Sequence, residues 1–260
     1  MGRRRYPKEK DRVLRFAVMA VFLLFAVGGS AVWVRMQNPR VDASEGRQRL
    51  KDMESVDIEA IDVKIQELAA AELAAEEERK ARPIEEKFAA AIVLGDSVTK
   101  SLYEYGALSM EYVRAGDEAC VSNAGESGLT DLLDQVIEAA PSTLFIAIGI
   151  YDIAGSQGDE KAFIKAYKAM LDTLRGSLPY TTIYINSILP ASAGKIGEDS
   201  LYEKVPKYNE ELRELCYEEG LIYIDNTDLV QEEYYEQDGI HMLPNYYPGW
   251  VDRMADVAKL

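Results

Sequence analysis

The chain of 260 residues has one histidine, His241, and two cysteines, Cys120 and Cys216. A single imidazole excludes a histidine-rich metal centre. Asp225, Asp228 and Asp238 cluster late in the chain, but they lack a second histidine and do not have the ligand spacing of a calcium loop. Two cysteines are too few for a disulfide scaffold and read as buried free thiols, Cys120 on a strand and Cys216 on a helix. Neither a Gly-x-Gly-x-x-Gly fingerprint nor a phosphate-binding P-loop is present, so nucleotide binding has no support. The expectation is therefore a site with no metal and no cofactor. Positive charge is scarce beyond the first 35 residues. Residues 36–260 hold 21 of the 29 Lys and Arg but 43 of the 45 Asp and Glu, a net charge of −22. Such a surface repels nucleic acid and anionic lipid headgroups, which argues against a nucleic-acid partner.

The positive charge is gathered at the front. Arg3, Arg4, Arg5, Lys8, Lys10, Arg12 and Arg15 precede an uncharged apolar run from Phe16 to Val34. That run is long enough to span a bilayer as a helix, and the basic flank places the N-terminus in the cytoplasm. Residues 1–35 thus read as a basic tail and single-pass signal anchor, with the rest of the chain extracytoplasmic. A cleaved signal peptide ending near Gly29-Ser30-Ala31 is the alternative. Residues 36–87 read as an acidic helical stalk. Ile58, Ile61, Ile65 and Leu68 form a short heptad-like stripe that offers a homodimer contact. A helix from Asp57 to Ala81 would be roughly 40 Å long.

Residues 88–260 alternate strand and helix. Strands are predicted at 89–94, 118–122, 143–149, 181–187 and 221–225, and helices at 98–110, 130–140, 160–176, 205–219 and 246–258. This alternation implies an α/β fold with a parallel sheet covered on both faces. The long connection 188–203 reads as a mobile lid. Tyr234, Tyr235, Tyr246, Tyr247 and Trp250 lie near His241 in sequence and suit either sugar stacking or packing of the last helix.

Three motifs fall at the ends of predicted strands. Ala91-Ile-Val-Leu-Gly95-Asp96-Ser97 delivers a serine between a strand tip and a helix N-terminus, where α/β proteins bind ligands and backbone N–H groups face an anion. Serine needs a base to become a nucleophile. His241 is the one imidazole available, with Asp238 three residues earlier to orient it. Asn123-Ala-Gly125-Glu-Ser127-Gly128-Leu-Thr130 forms a glycine-rich loop, with Thr130 as the expected helix cap and the Gly125 N–H aimed at the site. Asp96 reads as structural, its carboxylate accepting from loop N–H groups.

On these residues the chain resembles the SGNH hydrolases, the GDSL esterase/lipase family. Gly95-Asp96-Ser97 matches the first block of that family. Asn123, Gly125, Ser127, Gly128 and Thr130 match the second, and Asp238 and His241 the fifth. The resemblance implies a flavodoxin-like three-layer α/β/α sandwich with a five-stranded parallel sheet. It also implies a triad of Ser97, His241 and Asp238, and an oxyanion hole built from the Ser97 and Gly125 N–H groups and an asparagine side chain. The third block departs from the pattern. Where the family carries Gly-X-Asn-Asp, this chain has Gly149-Ile150-Tyr151-Asp152, so Tyr151 stands in the asparagine's place. Asp96, Asn123 and Asp152 are the expected supporting residues.

Two functions follow from the resemblance. One is a membrane-anchored serine esterase or O-acyltransferase acting on acylated small molecules or glycans, with O-acetylated cell-wall or surface polysaccharide as the substrate class. The other is a glycan-binding or envelope-assembly module in which Tyr151 leaves the oxyanion hole impaired.

Overall fold

The computed structural model describes residues 18–23, 43–54 and 58–260. Val18 to Leu23 are helical. The rest of the apolar run 16–34 lies outside the described residues, and among those described no helix is long and apolar enough to cross a membrane. The chain divides into two compact units, Met1–Leu68 and Ala69–Leu260. The first contains the helix Ser44–Glu54, and the helix Ile58–Ala81 begins in it. On that helix Ile61, Ile65 and Leu68 are exposed.

The second unit is built on five parallel strands: β1 (Ala91–Gly95), β2 (Val113–Ala115), β3 (Thr143–Ala147), β4 (Thr182–Asn186) and β5 (Ile222–Ile224). Their spatial order is β2-β1-β3-β4-β5. This is the flavodoxin-like winding, in which the order reverses between β1 and β3 and leaves a crevice at their carboxyl ends.

Alternation along the strands creates the layers. Ile92 and Leu94 of β1, Leu144 and Ile146 of β3, and Ile183 and Ile185 of β4 face one core with the helices Leu129–Ala139, Glu160–Ser177 and Val205–Glu219. Val93, Phe145, Tyr184 and Ile224 face the other, with Ser97–Glu104 and Tyr247–Ala258. The central strands β1, β3 and β4 are buried on both faces over most of their length, which is why they read as apolar runs rather than as alternating patterns.

Three expectations are corrected. The second strand is Val113–Ala115, not 118–122. Ala119, Cys120 and Val121 are buried but irregular. Their backbone donors do not pair with a neighbouring strand: Ala119 N–H goes to the Gly116 carbonyl at 3.4 Å, Cys120 N–H to Ser127 Oγ at 3.2 Å, and Val121 N–H to Asp152 at 3.2 Å. Burial alone produced the apolar signal, and Cys120 is therefore on a loop. Both cysteines are buried and free. The helix after the glycine-rich loop is capped by Gly128 in the left-handed conformation (φ 76°), not by Thr130. The connection after β4, expected as a lid, carries the helix Ala193–Glu198 and a 3-10 turn at Ser200–Lys204.

Candidate active site

Gly95 ends β1, and the first turn of the next helix folds directly over it. A Cβ at Gly95 would run into the Thr99 side chain and come within 2.7 Å of the Ala147 carbonyl. Only glycine fits, so the chain turns sharply at the strand tip. Asp96 then caps the helix, its Oδ1 accepting from Val98 N–H at 3.1 Å. It is 4 % exposed, and burial pushes its carboxyl up to about 7 against the hydrogen bonds from the helix N-terminus. The Asp96 carboxylate thus accepts a backbone N–H at the start of the helix. Ser97, 9 % exposed, is the first helical residue, where backbone N–H groups have no intrahelical partner.

The histidine arrives from the other end of the chain on a tight turn. Tyr235 bridges Met242, and Glu236 N–H donates to the His241 carbonyl at 2.8 Å, so residues 235–242 form a short hairpin. At its tip Asp238 Oδ1 accepts from the N–H groups of Ile240 and His241, both at 3.0 Å. Gly239 holds φ 70° there. A Cβ on it would collide with Ser192 Oγ and lie 2.9 Å from Lys195 Cβ. The segment after β4 therefore packs onto this turn, and Ser192 N–H donates to the Gly239 carbonyl at 2.8 Å. The Tyr235 hydroxyl adds a bond to the Pro190 carbonyl at 2.7 Å.

These supports bring the three expected residues into one chain of hydrogen bonds. Asp238 Oδ2 bonds His241 Nδ1, and His241 Nε2 lies 2.7 Å from Ser97 Oγ. Partial burial raises the Asp238 carboxyl, but the two backbone N–H groups and the imidazole outweigh it and hold the group below the usual carboxylate range. Asp238 is thus an anion at neutral pH, and an anion there keeps the ring proton on Nδ1 and leaves Nε2 as acceptor.

Tyr151 follows β3 on the facing side of the crevice, in the helix Ile150–Gly155. Its hydroxyl lies 2.8 Å from Ser97 Oγ. The ring is half-buried against the core. The third-block departure therefore reaches the nucleophile itself.

The glycine-rich loop is held from beneath. Asp152, fully buried, accepts from the N–H groups of Val121 and Ser122 and from the Ser122 hydroxyl. Burial raises its pKa, and those donors oppose the rise. Gly125 is exposed, with open space where a Cβ would stand, and its N–H has no hydrogen-bond partner among the described residues. Asn123 is exposed and shapes the loop locally: its amide donates to Glu126 at 2.8 Å, and its carbonyl accepts from Ser127 N–H at 2.9 Å. No hydrogen bond joins Asn123 or Gly125 to the Ser97–His241 pair.

The aromatic residues after His241 resolve to packing. Tyr246, Tyr247 and Trp250 are almost fully buried and pack against one another in edge-on and tilted ring contacts. Sequence reasoning missed a polar network beneath them. Asn186 Oδ1 accepts from Trp250 Nε1 at 3.1 Å and from Asn226 Nδ2 at 2.9 Å, and Asn226 N–H donates to Ser187 Oγ at 2.9 Å. An asparagine near the end of one predicted strand and another just after the next were the available signal. This network fixes the end of β4 beside a cavity of about 20 Å³ lined by Asp96, Thr99, Gly149, Ile188, Ile240 and Trp250, room for about one water.

Residues 93–247 match the GDSL-like Lipase/Acylhydrolase family. Among solved structures, a GDSL-like lipase from Bacteroides thetaiotaomicron aligns with a TM-score of 0.55 at 15% identity, covering 69% of this chain and 91% of that one. An acetyl xylan esterase aligns with a TM-score of 0.51 at 16% identity, covering 64% of this chain and 98% of that one. At such identities the likeness concerns the fold. No curated protein matches the chain.

Proposed function

The chain belongs to the GDSL-like lipase/acylhydrolase family, and on that footing we propose that it is a serine ester hydrolase that works through an acyl-serine intermediate on Ser97. The observation that carries the reading is the unbroken line Asp238–His241–Ser97, with Nε2 2.7 Å from Oγ.

In the first step His241 Nε2 takes the Ser97 proton as Oγ attacks the ester carbonyl. Asp238 holds the ring and stabilises the imidazolium. The carbonyl oxygen becomes an anion, for which the Ser97 N–H and the Gly125 N–H are the donors we propose. The imidazolium protonates the departing alcohol. Water, or a second hydroxyl, then repeats the sequence on the acyl-serine. A water attack gives hydrolysis and a sugar hydroxyl gives acyl transfer.

The substrate class we propose is an O-acetylated cell-wall or surface polysaccharide. The acidic composition of residues 36–260 favours a neutral acceptor over a polyanionic one. The same proposal places the enzyme outside the cytoplasm, held by residues 1–35 as a single-pass anchor with a cytoplasmic N-terminus, and lifted from the membrane by residues 36–87. The exposed Ile61, Ile65 and Leu68 would supply the contact of a stalk homodimer.

The test is hydrolysis of p-nitrophenyl acetate by the full-length chain and by Ser97→Ala and His241→Ala. Both variants should fall to background while circular dichroism stays unchanged. Full activity in either one would overturn the mechanism.

A further inference from the structure

We infer that Tyr151 is a catalytic hydrogen-bond donor that serves Ser97 Oγ in the resting enzyme and passes its O–H to the substrate carbonyl oxygen as the acyl–serine bond forms. The inference rests on the ester-hydrolase reading of the same site.

Counting hydrogens fixes the direction of every bond in the network. The Asp238 anion takes Nδ1–H, so His241 Nε2 carries no proton and accepts. Ser97 has one hydroxyl hydrogen, and Nε2 at 2.7 Å takes it. The remaining contact on Oγ, 2.8 Å from Tyr151, must then run from phenol to serine. Tyr151 is suited to remain a donor. Burial raises its pKa, the bond to Ser97 opposes this, and the nearby Asp96 and Asp238 carboxylates add to the rise.

The reaction changes what Oγ offers this donor. The Oγ–H proton moves to Nε2, the Oγ lone pair forms the bond to the carbonyl carbon, and the C=O π pair moves onto the carbonyl oxygen. Oγ becomes an ether-like oxygen and a poor acceptor. The new oxyanion, bonded to the same carbon as Oγ, becomes the strongest acceptor in reach. The Tyr151 O–H bond does not break; it changes partner. On collapse the π bond re-forms, the alcohol leaves with the imidazolium proton, and the phenol is released. This donor binds more strongly in the transition state than in the ground state, which is the condition for accelerating the step. A tyrosine thus supplies, from the longer arm of the helix Ile150–Gly155, the side-chain donor that an asparagine supplies in the resembled family.

Tyr151→Phe in the full-length chain tests this, because the ring and its packing are kept and one hydroxyl is lost. For p-nitrophenyl acetate, kcat/KM reports the steps through acylation. It should fall roughly 100- to 1000-fold, the usual cost of one oxyanion donor, with an unchanged thermal midpoint. The rate of phosphonylation by a fluorophosphonate, read by intact mass, should fall in parallel, since the phosphoryl oxygen gains the same charge. Either rate staying within about threefold of wild type overturns the inference while leaving the esterase reading intact. A wild-type chain that neither hydrolyses the ester nor labels overturns both.

Discussion

Replacing Asp238 by asparagine separates orientation of the imidazole from its presence. The native carboxylate uses both oxygens: Oδ2 holds the His241 Nδ1–H, and Oδ1 accepts two backbone N–H groups at 3.0 Å each. Asparagine has one oxygen. If that oxygen faces the ring, its NH2 opposes two backbone donors. If it faces the backbone, its NH2 points at Nδ1 and forces the ring proton onto Nε2. The second arrangement keeps both backbone hydrogen bonds and reverses the third, whereas the first gives up two, each worth about 0.5–1.5 kcal/mol, so the turn selects it. Nε2 is then protonated and cannot take the Ser97 proton. The expected loss in kcat is roughly 10,000-fold, which is about 5.5 kcal/mol in the barrier. Stability should fall far less, because half-exposed Asp238 keeps its turn. The assay is steady-state hydrolysis of p-nitrophenyl acetate alongside thermal unfolding. A kcat within tenfold of wild type, in a folded variant, would refute the view that Asp238 sets the tautomer.

Other expectations follow from the supports of the site. The Asp96 carboxyl is raised to about 7 in the fold from an unfolded value near 3.8. Its contribution is therefore full below the unfolded value and lost as pH rises through about 7, on the order of 4 kcal/mol across the window. Asp96→Asn stays neutral and keeps an acceptor for Val98 N–H, so its denaturant midpoint should fall less than that of wild type between pH 5 and pH 8.5; parallel pH slopes would refute this. Gly239→Ala forces a Cβ into Ser192 Oγ at a residue with φ 70°, and should cost roughly 1–3 kcal/mol by chemical denaturation together with part of kcat. Asp152→Ala removes the acceptor for Val121 and Ser122, so it should lower kcat more than it weakens substrate binding if the loop carries an oxyanion donor. Equal kcat would place Gly125 outside the mechanism.

The sequence carried the parts of this site that depend on strand tips. Gly95-Asp96-Ser97 was legible because a buried parallel strand is a continuous apolar run and its end is marked by a residue with no room for a side chain. Asp238 and His241 were legible only jointly with the serine motif and the family resemblance, since a lone histidine after an Asp-Gly turn is by itself ordinary. Val113–Ala115 was not, because three residues on a sheet edge, only the first of them buried, give too short a pattern, while Ala119–Val121 give a strong one through burial without pairing. Tyr151 could be located but not oriented, since a side chain's reach across the β1–β3 crevice depends on how two strand ends face each other. The Asn186–Asn226–Trp250 network was hidden for the same reason: its members lie 40 and 24 residues apart in the chain and meet only once β4 and the last helix are packed.

The claim that matters most is that Ser97 is a nucleophile activated by His241. Intact-mass labelling of the full-length chain with a fluorophosphonate, wild type against His241→Ala, tests it most directly. The account predicts one label per chain on Ser97 in wild type and none in the variant over the same time. No labelling of a folded wild-type chain, or equal labelling of both, would contradict it.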